Sequence, residues 1–167
     1  MALTTKITAR INATQTAAND LGTSSFPMAY SQVVSLLDGT AANQADLMFS
    51  DQRTLTASSN EDLDLAGSLS GAFGATLNFA KIKAIAVYAA SGNTNNVQVG
   101  PATTNGFLGP FADASDQLDI PPGGQILLTA PVNGWTVTAT TGDLLNIANS
   151  AAGTSVTYDI VLIGTSA

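Results

Sequence analysis

Polar and apolar residues alternate along much of this chain with a period of two, the pattern of half-buried β-strands. Over residues 6–12, Ile7, Ala9 and Ile11 fall on one face, and Lys6, Thr8, Arg10 and Asn12 on the other. Leu77 and Phe79 share a face in residues 76–79. In residues 135–140, Trp135, Val137 and Ala139 point one way and three threonines the other. Val156, Tyr158, Ile160 and Leu162 alternate with Thr157, Asp159, Val161 and Ile163, so this last strand begins half-exposed and ends apolar on both faces. Residues 82–90 are apolar on both parities and predict a central strand.

Turn signals separate these runs. Ser91-Gly92-Asn93, Asn105-Gly106, Pro121-Pro122-Gly123-Gly124, Asn133-Gly134 and Thr141-Gly142-Asp143 sit between strands at short intervals. Asn-Gly supports the positive φ of a tight hairpin. Short strands at this spacing predict an all-β fold, an antiparallel β-sandwich or a barrel. Residues 60–72 break the pattern: Leu65, Leu69 and Phe73 recur every four residues, which predicts a short helical turn or ordered loop, although Gly67 and Gly71 weaken a helix. The Gly-Phe pairings place Phe73, Phe107 and Phe111 in the core beneath loops.

The N-terminal segment divides from the rest. Residues 1–20 read as a strand-like arm or a first strand, closed by a turn at residues 17–22, and residues 21–167 as one β-sandwich domain. An arm could add to a neighbouring subunit's sheet. Lys6, Ile7, Arg10 and Ile11 are then the candidate subunit or partner contacts.

Composition narrows the chemistry. The chain has 167 residues, of which 45% are hydrophobic and only 10% charged, against the ~25% charged typical of soluble domains. It has no Cys and no His, which removes disulfides, thiolates, Cys/His zinc sites and every His-based catalytic device. The net charge of −7 argues against direct nucleic-acid binding. Residues 1–83 hold all five bases, and residues 84–167 hold five acids and no base. The acids of the second half therefore face water or meet bases of another segment or another chain. No signal-like n-region and h-region opens the chain, and no apolar run approaches the ~20 residues of a membrane span. The resulting expectation is a protein made in the cytosol and either kept there or built into something assembled there, with no membrane partner.

The remaining residues supply few candidates for chemistry. No Ser-x-x-Lys motif and no phosphate-binding glycine loop is present. Asp113, Asp116 and Asp119 offer three carboxylates to an oxygen-loving cation such as calcium, but without the spacing of an EF-hand, so a solvated loop is the simpler expectation. Asp62 and Asp64 share one strand face. Trp135 falls on the core parity in preference to a sugar-binding platform, and Tyr30, Tyr88 and Tyr158 are expected to be packed. No catalytic residue, metal or cofactor is expected.

Several short motifs resemble those of small virion proteins of tailed bacteriophages. They are DLDLAGSLSGAFGATLNFAKIKAIAVY at residues 62–88, NVQVG at 96–100, PGG at 122–124, NGWTVT at 133–138 and YDIVLIG at 158–164. The resemblance extends over about residues 45–164, with a less specific N-terminal segment, and is strongest to capsid cement or decoration proteins. The resemblance implies a non-enzymatic β-sandwich, jelly-roll-like, that sits on a shell as a homo-oligomer, a trimer in preference to a dimer. Its partners would be itself and the major capsid protein, and its location the virion surface. A tail- or connector-associated module contacting host-surface glycans is the alternative, and predicts a pocket with exposed aromatic and acidic residues.

Overall fold

The computed structural model describes residues 2–167, and all regular structure among them is β. Two long strands open the chain, β1 (Thr5–Asn19) and β2 (Gly22–Asp38), followed by a two-residue β3 (Gln44–Ala45). Next come β4 (Leu47–Leu55), β5 (Asn60–Asp64), β6 (Ala66–Ser70) and β7 (Thr76–Asn78). The middle of the chain forms β8 (Lys81–Ala89), β9 (Val97–Pro101), β10 (Leu118–Ile120) and β11 (Gln125–Thr129). It closes with β12 (Trp135–Thr136), β13 (Leu144–Asn149) and β14 (Val156–Thr165).

Eight of these strands build a sandwich. One sheet has the order β11-β8-β14-β4, with β12 also on β8, and the other has the order β10-β9-β13-β5. Neighbours in both are antiparallel. Alternation turns Phe49, Ile85, Val87, Tyr158, Ile160 and Leu162 inward from the first sheet. Leu63, Val97, Val99, Ile120, Leu145 and Ile147 meet them from the second, and the two sets share one core. The all-β sandwich expected from the period-two pattern is thus present.

β8 is the central strand that its composition predicts, with a local irregularity. Ile163 pairs with Ala84, but the next residue, Gly164, pairs with Ile82. Lys83 is the extra residue of a bulge, which moves the inward parity from Ile82 to Ile85. Its side chain is buried, and its Nζ donates to the carbonyls of Val132 at 2.8 Å and Pro131 at 3.3 Å. Burial, with a smaller contribution from the like charge of Lys81, holds its pKa below the ordinary lysine value.

Residues 60–72 are not helical. β5 ends where Asp64 Oδ1 accepts the amide of Ala66 at 2.8 Å, and β6 and β7 then pair as a separate antiparallel ribbon. Gly67, at φ +149°, takes a backbone conformation that side chains disfavour and lets the chain bend there. Leu65 and Leu69 are buried, but through this bend and ribbon, so their four-residue spacing imitates a helix. Phe73 lies in the ribbon's turn and is 82% exposed, contrary to its expected place in the core. Phe107 is buried and Phe111 packs against the core's margin. The strand expected over residues 135–140 shortens to β12, because the chain turns at Thr140 (φ +69°) and bridges Thr138 to Gly142. Trp135 and Val137 keep their core parity.

Candidate assembly surface

β1 and β2 form one antiparallel ribbon, paired continuously from Thr5↔Leu36 to Asn19↔Gly22. The element expected to end at residue 20 therefore includes a second strand and returns to the body at Asp38. At ~3.3 Å per residue it is about 50 Å long. Its register determines its two faces, because directly paired residues point the same way. One face carries Ile7/Val34, Ala9/Gln32, Ile11/Tyr30, Ala13/Met28 and Gln15/Phe26. The other carries Lys6/Ser35, Thr8/Val33, Arg10/Ser31, Asn12/Ala29 and Thr14/Pro27. The ribbon is amphipathic, as the alternation of residues 6–12 predicts.

Only the root of the ribbon is seated. Leu36 is buried, and with Leu3, Ile7 and Val34 it packs against Ala45, Ala84 and Ile163. This contact explains why β14 ends apolar on both faces: Leu162 enters the sandwich core, while Ile163 is covered from outside by the ribbon. Leu3 N donates to Asp38 Oδ1 at 2.8 Å, Leu37 N donates to Asn43 O at 3.0 Å, and β2 pairs in parallel with β3, which together hold the root. From residue 8 to residue 33 every position is exposed. The same face that seats the root continues outward uncovered, with Ile11 57%, Tyr30 51% and Phe26 68% exposed. Tyr30 was expected to be packed, but it stands on this free face, and Tyr88 is also partly open. Of the four predicted contacts, Ile7 belongs to the root, Ile11 to the free apolar face, and Lys6 and Arg10 to the polar face. Arg10 Nε donates to Asn12 Oδ1 at 3.1 Å.

The body beside the root presents matching chemistry. A groove of about 400 Å³ on the outer face of the β11-β8-β14-β4 sheet is lined by Leu3, Ile7, Met48, Leu127, Val161 and Ile163, among others. A smaller groove of about 240 Å³ adjoins it at Thr8, Tyr88, Leu127, Asp159 and Val161. Asp159 is the one charged lining residue of that smaller groove, and it accepts a hydrogen bond from Gln52 Nε2 at 2.7 Å. The opposite sheet turns Asp62, Asp64 and Asp119 outward. One broad face is therefore poor in charge, with Lys6 and Asp159 at its two grooves, and the other is acidic.

The polar clusters are structural in their geometry. Asp116 Oδ2 accepts the amides of Ala112 and Asp113, both at 2.9 Å. Asp113 Oδ1 accepts from Ser115 N at 3.0 Å and Ser115 Oγ at 2.8 Å, and these bonds hold its pKa below the usual carboxylate value. Asp119 lies apart, on β10, paired with Gln98. The structure thus spends two of the three calcium candidates on a loop, and no three acidic side chains converge to hold a metal among the described residues.

A network not anticipated from the sequence, buried at Tyr158 and open to solvent at Asp51, joins the two sheets at their edge. Tyr158 OH donates to Glu61 Oε1 at 2.7 Å, Arg53 Nη1 donates to Glu61 Oε2 at 2.5 Å, and Arg53 Nε donates to Asp51 Oδ2 at 3.0 Å. Arg53 also lies over the Phe49 ring. Burial, then the hydrogen bond and charge of Glu61, push the Tyr158 pKa far above the ordinary phenol value. Tyr158 keeps its proton, and the cluster closes on itself without a nucleophile–base pair. A signal existed: Arg53 and Glu61 occupy the parity of Leu55 and Leu63, where an apolar residue is expected. No helix among the described residues is long and apolar enough to cross a membrane. No family model matches the chain, and no characterised protein matches it with significance.

Proposed function

We propose that this chain is a non-enzymatic structural protein that attaches to a repeated protein lattice, most consistent with a cement or decoration protein on the head of a tailed-phage virion. The observation that carries the reading is the ribbon of β1 and β2, which leaves the body with one apolar face uncovered. An isolated two-stranded ribbon is marginal in water, so a long one with exposed Phe, Tyr and Ile side chains is built to be covered on assembly. The strand order supports the finer fold assignment. Counted along the chain, the eight sandwich strands lie as sixth-third-eighth-first and fifth-fourth-seventh-second, the wiring of a jelly roll made of two Greek keys. Jelly rolls recur in viral shells, which is an association at the level of fold.

In this reading the ribbon and the apolar sheet face turn toward the lattice and toward neighbouring copies. The acidic sheet turns to solvent. Homo-oligomers, trimeric by preference, present the same contact repeatedly, and repetition multiplies a modest affinity. Quantitative mass spectrometry of purified particles against the main shell protein tests the proposal. Hundreds of copies per particle are expected. A few dozen or fewer would move the chain to the connector or tail and to host-surface glycan binding, and none would end the virion reading.

A further inference from the structure

We infer that the free apolar face of the ribbon is covered by a second copy of this chain, lying over the outer face of that copy's β11-β8-β14-β4 sheet beside its ribbon root. This goes beyond the cement reading, because it concerns the chain alone and needs no shell.

The first support is continuity. At the root, the face bearing Ile7, Val34 and Leu36 already packs on Ala84 and Ile163 of the same sheet. Beyond the root, past the Ala9/Gln32 pair, the face resumes this chemistry with Ile11, Met28 and Tyr30, and these side chains are exposed. The body, in turn, leaves Met48, Leu127 and Val161 partly open in a groove next to the seated root. A ribbon face and a sheet face that fit each other within one chain are two halves of a contact that a neighbour can repeat.

Charge selects the same pairing. Residues 1–38 carry two bases and two acids, whereas residues 39–167 carry three bases and ten acids. Two bodies repel, while a neutral ribbon on a body does not. The outer sheet face beside the root is also the face poor in charge, and Phe, Tyr and Met with few charges are the composition of an interface core. Area is sufficient. The free part of the ribbon, about 36 Å long and about 10 Å wide, offers roughly 360 Å² on one face. Two reciprocal ribbons would bury on the order of 1,400 Å² counted on both sides, within the range of specific interfaces.

The test uses the purified full chain. Sedimentation velocity and native mass spectrometry are run from about 1 to 100 µM, the range in which micromolar association is visible. Wild type is expected to be a dimer or a closed ring. The double substitution Phe26→Asp with Tyr30→Asp, on side chains that the monomer leaves exposed, should weaken association about 30-fold or more while leaving the far-UV circular dichroism of the folded chain unchanged. Leu127→Asp in the groove should weaken it similarly. Thr14→Asp with Thr16→Asp, on the polar face, should leave it unchanged. A wild type that stays monomeric at the highest concentration, or an oligomer indifferent to both the ribbon and the groove substitutions, overturns the inference. Either result leaves the copy-number test of the shell reading standing on its own.

Discussion

Leu36→Ala isolates the anchor that points the ribbon away from the body. Leu36 is 1% exposed and is the largest buried side chain at the root. Truncation removes apolar atoms that contact Ala45, Ala84 and Ile163. A fully buried Leu contributes about 2–3 kcal/mol by area, and a partly collapsing site keeps the cost near 3 kcal/mol. The free ribbon contributes almost nothing by itself, since two strands without a covering layer are marginal. The loss therefore weakens the seating of the root, and a change of about 2.7 kcal/mol is about 100-fold in the seated-to-free ratio. Amide hydrogen exchange reads this locally. Amides of residues 5–8 and 33–38 should exchange about 100-fold faster in the variant, while those of β8 and β14 remain protected at 25 °C. The thermal midpoint should fall by no more than about 10 °C. Unchanged protection at the root would refute the anchor. Body amides accelerating in step with the root would refute the separation of ribbon from body.

Three further outcomes are expected. Because the folded-state pKa of Tyr158 is raised, its contribution to stability is fully present below the unfolded phenol value of about 10 and declines as pH rises above it. Chemical denaturation of wild type minus Tyr158→Phe across that range isolates the effect from Lys83, and a flat difference would contradict it. Gly164→Ala drives a Cβ into the Lys81 carbonyl oxygen and to 2.6 Å from Phe79 Cδ1, beside the bulge of β8 and β14, and should cost about 2 kcal/mol or more, read as a midpoint about 5 °C lower. Since Asp113 and Asp116 already satisfy backbone amides of their own loop, neither a chelator nor millimolar calcium should move the thermal midpoint; a rise with calcium would place an ion there.

The sequence by itself determined the class of fold and the faces of its strands. Alternation at Val156–Thr165, Leu144–Asn149 and residues 6–12 is local information, because a strand turns successive side chains to opposite sides whatever surrounds it. The absence of Cys and His excludes disulfide, thiolate and imidazole chemistry and nothing more. Tertiary structure decided what each face meets. Phe26, Met28 and Tyr30 alternate as a core strand would, yet they stand in the open, because burial depends on residues far away in sequence. Ile163 reads the same way and is buried, because the ribbon root covers it. Leu65 and Leu69 match a helical spacing that strand pairing with β7 and a bend at Gly67 override. Arg53, Glu61 and Tyr158 are separated by up to 105 positions and become one network only when β4, β5 and β14 meet at the open edge of the sandwich. Side-chain periodicity is a property of the backbone and is written in the chain, whereas contact is a property of the packed sheets.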